Sequence, residues 1–248
     1  MRKLGSWTQI DTDCMDTCGN EDIPVYLNNE FGMFGQLPES SESSDVEEPQ
    51  DCLIGENRRF GGKLLYKDLI PSTMWFTNVR SCVSRSSWDE LRKRVYERVD
   101  YKCECCNTDC RIRKPYTGDD YEDNVQITPP SSEFKADVEL NKWNTIQLEA
   151  HERWSYDYES KTQKLERVIA LCHRCHSATH LGLADIRGVK QLALKHMKKV
   201  NKWADEQLLQ HLEEQSKRYR ERSIVKWHLN IDIVTNSGFQ VIRKTKSQ

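Results

Sequence analysis

The chain has 248 residues, of which 37% are hydrophobic and 31% are charged. Its apolar runs are shorter than the ~20 residues that a membrane helix needs, and Met1 to Gly5 are not followed by the apolar core of a signal peptide. The composition excludes a membrane-spanning protein, and we expect a cytoplasmic location. Ten cysteines in such a chain indicate metal ligands or free thiols rather than disulfides.

The formal net charge of −2 is unevenly distributed. Residues 1–57 hold 13 acidic and two basic side chains, whereas the rest of the chain holds 35 basic and 26 acidic ones. A basic body is typical of proteins that bind a polyanion such as DNA. The acidic arm is typical of a solvated, disordered segment. Two alternatives are that it folds over the basic face or binds a protein partner.

Three regions are predicted along the chain. Residues 1–57 form the acidic arm and include a low-complexity linker at 39–51. Residues 58–184 form the core, which carries a long polar insertion at 107–146. Residues 185–248 form a helical segment and a terminal hairpin that pack on the core.

The first predicted helix follows Ser86 and Ser87, whose hydroxyl groups are typical helix caps. Leu91 and Val95 recur at helical spacing and form its apolar face. We expect this helix to end at Asp100, just before the first cysteines of the core.

A strand, an apolar stretch and a helix are predicted at the end of the core. The strand at 146–148 leads into His151, the second apolar stretch covers 167–171 and leads into Cys172, and a helix begins near Cys175 and passes through His180.

The last region is predicted to be helical over 185–222. Residues 227–234 then alternate like a strand, and 239–242 return as its hairpin partner.

Two Cys-x-x-Cys pairs give the strongest metal signal: Cys103 with Cys106, and Cys172 with Cys175. Each pair presents two thiolates to a tetrahedral zinc ion, and two pairs complete a closed structural site. Such a site holds distant segments together in a chain whose hydrophobic core is too small to do so. The register of the first pair has an alternative, because Cys105 and Cys110 lie close to it.

Three histidines form a second group. His176 and His180 are four residues apart, so a helix places both rings on one face. His151, beside Glu152, lies at the end of a predicted strand. Three donors with open coordination positions are typical of a catalytic metal site rather than a structural one. The alternative is that these are ordinary helix histidines, or that one replaces a cysteine as a zinc ligand.

The order Cys-x-x-Cys, His-Glu, Cys-x-x-Cys-His-x-x-x-His resembles the HNH endonuclease superfamily, whose core is a ββα-metal finger. The segments 148–154 and 169–182 are similar to bacterial and phage proteins labelled HNH endonuclease, and so are 196–203 and 227–232. The resemblance covers roughly residues 69–242. It implies an α+β fold with a zinc-stabilised ββα core, flanking helices and the C-terminal β-hairpin. It also implies a bacterial host cell or a phage-infected cell.

The resemblance implies roles for the histidines. His151 is the general base that activates a water, and His176 with His180 holds a catalytic Mg²⁺, Mn²⁺ or Zn²⁺. Structural Zn²⁺ is held by the four cysteines.

The sequence departs from the family pattern in two places. Ala150 stands where an acidic or histidine ligand usually precedes the catalytic histidine, and Arg167 falls near the Asn of the motif. Glu149 or Glu152 could supply the missing ligand. Alternatively, His151 is itself a ligand and Glu152 is the catalytic base.

A phosphodiester substrate requires cations along its backbone. The predicted nucleic-acid-binding residues lie on two helices: Arg92, Arg94, Lys195, Lys198 and Lys199. The alternative for both groups is a solvated helix face.

The sequence thus predicts a metal-dependent HNH endonuclease that hydrolyses phosphodiester bonds in DNA. The competing hypothesis is a non-catalytic, zinc-stabilised protein on a degenerate HNH core, which binds nucleic acid or inhibits a partner enzyme.

Overall fold

The computed structural model describes residues 53–75, 77–117 and 136–242, without the side chains of 136 and 137. All of them belong to one unit, Glu47–Gln248. The helices are α1 (Val79–Cys82), α2 (Arg85–Glu97), α3 (Ala136–Trp143), α4 (His173–Thr179), α5 (Leu181–Ile186), α6 (Lys190–Asn201), α7 (Asp205–Ser223) and α8 (Asp232–Asn236). The strands are β1 (Lys114–Pro115), β2 (Thr145–Ile146), β3 (Leu148–Asp157), β4 (Thr162–Cys172) and β5 (His228–Asn230). None of the helices among these residues combines the length and apolar character needed to cross a bilayer.

The fold is mixed α and β, built around the long antiparallel hairpin of β3 and β4. Strand β4 is almost entirely buried because both faces of the sheet are covered. Ile169 and Leu171 belong to one core cluster, with residues of α4 and α6. Val168 and Ala170 belong to the other, with residues of α2 and α8. Helix α4 follows β4 directly, so the chain forms a hairpin and then a helix.

The predicted helix after Ser86 is confirmed as α2, although it begins earlier. Ser84 is its cap, and the Ser84 hydroxyl accepts a hydrogen bond from the backbone N–H of Ser87 at 3.1 Å. Leu91 and Val95 are buried as the periodicity predicts. The helix ends at Glu97, and the three residues up to Asp100 form a turn.

Buried arginines attach the segment 53–65 to the hairpin. Arg153 donates to the carbonyl oxygens of Gly61 and Leu64, both at 2.9 Å. Gly61 has φ +69°, and a Cβ there would lie 2.1 Å from Nη1 of Arg153, so only glycine fits. Leu53 and Glu56, which the predicted boundary places in the acidic arm, are part of this fold: Leu53 is buried, and Glu56 pairs with Arg98. Residues 1–52 of the arm lie outside the described residues.

The predicted C-terminal hairpin is wrong. Strand β5 pairs in parallel with β4, and the chain then enters α8 instead of continuing as a strand. The side chain of Asn230 accepts a hydrogen bond from the backbone N–H of Asp232, the first residue of α8, at 3.0 Å. Ile233 and Val234 are buried in the second cluster. The returning segment bridges at Val241 to Val83 instead.

The strands around the predicted site are longer than the sequence indicates. His151 lies inside β3, not at the end of a strand. Helix α4 begins at His173, two residues before Cys175, and stops at Thr179. The insertion 107–146 contains β1, β2 and α3, with β1 and β2 paired. Its middle part, 118–135, lies outside the described residues.

Candidate metal centres

The sulfur atoms of four cysteines lie close together: Cys103, Cys106, Cys172 and Cys175. All four lie within 4.8 Å of one another, and the Sγ atoms of Cys106 and Cys172 are 3.6 Å apart. Zinc–sulfur bonds of about 2.3 Å in a tetrahedron separate the sulfurs by about 3.8 Å. The four cysteines therefore could hold a metal ion.

Local backbone structure presents each pair. The backbone N–H of Cys103 donates to Thr108 O at 2.9 Å, and Asn107, at φ +62°, closes this turn. Cys172 is the last residue of β4 and the cap of α4, which brings Cys175 into the first turn of that helix. Glu104 joins the two pairs, since its side chain accepts a hydrogen bond from the backbone N–H of Ala170 at 2.9 Å.

Cys105 and Cys110 lie outside this group. The Sγ atom of Cys105 is 3.7 Å from Nη2 of Arg153, and that of Cys110 is 3.4 Å from the carbonyl oxygen of Thr108. Burial raises the pKa of both thiols to about 12, so both are protonated. The geometry brings together Cys103 and Cys106, the register preferred on spacing.

His196 is a neighbour of this centre that no spacing rule predicts. Its Nε2 atom lies 3.2 Å from Sγ of Cys175, across from α4 on helix α6. An imidazole N–H in this place would stabilise a thiolate by hydrogen bonding.

Three histidines form the second centre. One ring nitrogen from each of His151, His176 and His180 lies within 4.8 Å of the others. The ring centroids of His176 and His180 are 4.7 Å apart, and His151 lies 4.9 Å from His180. His180 is the residue between α4 and α5, with φ −106° and ψ 56°, so it joins the group from a turn rather than from a helix.

Burial favours the neutral form of two rings of this group, those of His151 and His180. Burial lowers the pKa of His151, against the raising effect of Asp68. Burial also lowers the pKa of His180 well below its usual value, and the neighbouring His176 adds to this. A neutral imidazole has a lone pair to offer, which is the form that binds a metal ion.

Two carboxylates contact these rings from outside. Glu149 bridges two histidines, with its oxygens 2.5 Å from Nδ1 of His173 and 2.7 Å from Nδ1 of His176. Burial raises the pKa of Glu149, but the contacts with His173 and His176 outweigh it and hold the pKa well below its usual range. Asp68 Oδ2 lies 3.3 Å from Nε2 of His151. No motif or periodicity in the sequence marks Asp68.

Glu152 is not brought into the group. In the β3–β4 register His151 pairs with Ile169, in the first cluster, whereas Glu152 pairs with Val168, in the second. Glu152 therefore points to the other face of the sheet. There it accepts the backbone N–H of Val79 at 2.8 Å, and burial raises its pKa to about 7.

The two positions that depart from the HNH sequence pattern, Ala150 and Arg167, have structural roles. Ala150 pairs with Ala170 and packs against the second cluster. The buried guanidinium of Arg167 donates to the carboxylate of Glu104 and to the carbonyl oxygen of Arg58. Arg167 thus connects β4 to the first cysteine pair and to the segment before α1.

The predicted nucleic-acid-binding cations lie on α2 and α6. Arg92 is 2.9 Å from Asp89, and Arg94 pairs with Glu90, so both are engaged on their own helix. Lys198 lies 2.6 Å from Asp205. The remaining two line a cavity of about 520 Å³, together with Arg174, His196 and Cys106: Lys195 and Lys199.

A small depression reaches the histidine group from solvent. His176 and His180 line it with residues of α4 and α5 and with Arg187. The side chain of Arg187 is 26% exposed, and its Nε lies 3.7 Å from a carboxylate oxygen of Glu139. The depression therefore combines two histidines with a cation.

Comparison with known protein families, with curated proteins and with solved structures finds no match in any of the three. The function is therefore argued from the two centres and from the residues around them.

Proposed function

We propose that the chain is a metal-dependent nuclease of the HNH type, with structural Zn²⁺ at the four cysteines and a catalytic ion at the three histidines. The observation that carries the proposal is the convergence of His151, His176 and His180 beside the four-cysteine group. Helix α4 joins both centres, because Cys175 and His176 are adjacent. An ion at the cysteines would fix the start of α4 and hence the direction of His176.

The donor set favours one class of catalytic ion. Three imidazole ligands suit Zn²⁺, Mn²⁺, Co²⁺ or Ni²⁺, whereas Mg²⁺ prefers oxygen ligands. Nitrogens bound at about 2.1 Å in a tetrahedron are about 3.4 Å apart, which fits ring atoms that lie within 4.8 Å of one another. A bound ion of this class would act as a Lewis acid on a phosphate oxygen.

The depression supplies what a phosphate needs besides the ion. Arg187 lines it beside His176 and His180, and a guanidinium can bind phosphate oxygens in a bidentate manner. We assign Arg187 the task of orienting the phosphodiester and offsetting the charge that develops on it. A water then adds to phosphorus as the bond to the leaving sugar oxygen breaks; the proton that the water loses is released to solvent, and the leaving oxygen is protonated from solvent.

Within this proposal His151 is a ligand rather than the general base. Its ring nitrogen belongs to the same group as those of His176 and His180. Glu152, the alternative base, points to the other face of the sheet and binds Val79. The sequence offered the alternative that His151 is a ligand and Glu152 is the base. The geometry supports the first role and not the second.

Plasmid cleavage tests the proposal. Supercoiled plasmid, single-stranded DNA and RNA are incubated with the protein and Zn²⁺, Mn²⁺, Co²⁺ or Mg²⁺. We expect cleavage with a transition metal, its loss in His176→Ala and His180→Ala, and its retention in His228→Ala, an exposed control. Metal content of His151→Ala distinguishes the two roles, since a ligand variant loses the exchangeable ion and a base variant keeps it.

A non-catalytic, nucleic-acid-binding or partner-inhibiting protein is the second candidate. The observation in its favour is that Arg167, near the position of the motif Asn, is committed to Glu104 and Arg58. Retained DNA binding with no cleavage under any of the four metals would establish this candidate and overturn the nuclease.

A further inference from the structure

We infer that Asp68 is a positioning residue of the histidine centre, which holds His151 so that Nδ1, not Nε2, faces the ion. This inference rests on the metal site of the proposed function and adds a residue and an atom assignment to it. Nε2 of His151 lies 3.3 Å from Oδ2 of Asp68, in hydrogen-bonding geometry. A nitrogen that donates its proton to a carboxylate has no lone pair left for a metal.

Because both side chains are buried, their hydrogen bond has a defined direction, from the ring N–H of His151 to the carboxylate of Asp68. Asp68 and His151 expose only 7% and 4% of their side chains. A buried carboxylate needs hydrogen-bond donors, and a neutral imidazole offers one N–H. Asp68 lies outside the group of atoms that converge within 4.8 Å. It is therefore not one of the groups that converge on the ion.

The backbone around Asp68 is fixed by three helices. The N–H of Asp68 donates to Thr179 O at the end of α4, at 3.0 Å. The N–H of Lys67 donates to Nε2 of His211 on α7, at 3.0 Å. Leu65 exchanges two hydrogen bonds with the Asn201 side chain at the end of α6. Asp68 is thus tied to the residue that immediately precedes the ligand His180.

Glu149 acts on His176 in the complementary way. Its carboxylate lies 2.7 Å from Nδ1 of His176, which leaves Nε2 of that ring for the ion. The two carboxylates thus select opposite nitrogens: Nδ1 for His151 and Nε2 for His176. Such carboxylate–histidine–metal arrangements fix the tautomer and the orientation of the ligand.

Nuclear magnetic resonance with ¹¹³Cd²⁺ as the probe tests the atom assignment directly. The full chain is labelled with ¹⁵N in its seven histidines, loaded with ¹¹³Cd²⁺, and its rings are assigned with single His→Gln variants. We expect ¹⁵N–¹¹³Cd couplings at Nδ1 of His151 and Nε2 of His176. Cadmium bound at the four cysteines gives no such coupling.

Coupling of His151 through Nε2 would overturn the inference about Asp68 and leave the metal site standing. Absence of coupling at every histidine would overturn the metal site and the inference together.

Affinity measurements with Co²⁺ test Asp68 itself. We expect Asp68→Ala to bind the exchangeable ion about 10–100-fold more weakly, and Asp68→Asn, which keeps an acceptor oxygen, to lose less. Asp185→Ala is the matched control, because Asp185 pairs with Lys190 on the surface. Retention of one ion at the four cysteines shows that each variant is folded. Wild-type affinity in folded Asp68→Ala would contradict the inference.

Discussion

His151 and Asp68 are 83 residues apart in the sequence, yet Nε2 of one lies 3.3 Å from Oδ2 of the other inside the protein. The contact joins the segment before α1 to the middle of β3. The histidine centre is therefore not confined to the hairpin and α4. The segment that contains Asp68 lies before the metal-binding motifs in the sequence and completes the surroundings of the histidine centre. Removal of residues 1–68 is therefore expected to weaken metal binding at this centre.

Replacing one cysteine of the four-cysteine group should remove its ion and destabilise the fold. Bound zinc contributes on the order of 10 kcal/mol to folding in small zinc domains, and it ties β4 to the turn at Cys103. We expect Cys172→Ser to lose zinc and to melt at a much lower temperature, whereas Cys105→Ser keeps one zinc per chain. Elemental analysis and thermal unfolding, with and without a chelator, measure both. Equal zinc content in the two variants would contradict the ligand set.

Glu149→Gln should weaken the histidine centre alone. The substitution removes the charge that bridges His173 and His176, and loss of such a partner typically costs about 10–100-fold in metal affinity. Titration with Co²⁺ measures the affinity, with exposed Glu206→Gln as the control. If Glu149→Gln binds as tightly as the wild type, the bridge is not needed to orient His176.

Glu152 should matter for stability and not for cleavage. Its carboxylate accepts the N–H of Val79 at the start of α1, so Glu152→Ala leaves a buried donor unpaired and costs about 1–3 kcal/mol. Glu152→Gln keeps an acceptor and should cleave plasmid within a few-fold of the wild type. Chemical denaturation and the plasmid assay measure the two effects. A folded, metal-loaded Glu152→Gln without activity would restore Glu152 as a catalytic residue.

His211 should make the fold acid-sensitive. Burial lowers its pKa to about 4, and neutral Nε2 accepts the N–H of Lys67. Because the folded pKa lies below the unfolded value of about 6.5, His211 stabilises the protein fully above that value. This stability is lost as the pH falls toward 4, by on the order of 2 kcal/mol.

Unfolding free energies at pH 7 and pH 5 measure this effect. The fall between the two values should be smaller in His211→Gln and unchanged in the exposed control His228→Gln. Equal falls in both variants would assign the acid sensitivity to other groups.

DNA binding should depend on α6 more than on α2. Lys195 and Lys199 line one cavity together with Arg174, so α6 presents its cations beside a third one, whereas Arg92 and Arg94 lie beside the carboxylates of Asp89 and Glu90 on α2. We expect Lys195→Ala with Lys199→Ala to weaken duplex binding and to flatten its salt dependence by ~0.9 for each phosphate that is no longer neutralised. Fluorescence anisotropy over a salt series measures this. A larger effect of Arg92→Ala with Arg94→Ala would place the DNA on α2.

The sequence by itself determined the four-cysteine group and helix α2. Cys-x-x-Cys spacing specifies how two thiolates are presented, and helical periodicity specifies which face of α2 is buried, because both depend on residues close together in the chain. The spacing of His176 and His180 predicted their proximity for the same reason, although α4 ends before His180.

Only the tertiary structure decided which carboxylates contact the histidine rings of the second centre. Glu149 and Glu152 both lie within two residues of His151 in sequence, and the pairing of β3 with β4 places one near α4 and the other near α1. Asp68 has no local signal, because its place results from hydrogen bonds to residues of α4, α6 and α7. The prediction of a terminal hairpin was wrong for the same reason. Alternation indicated that 227–234 is partly buried, but the free edge of β4, which is distant in sequence, decided where β5 pairs.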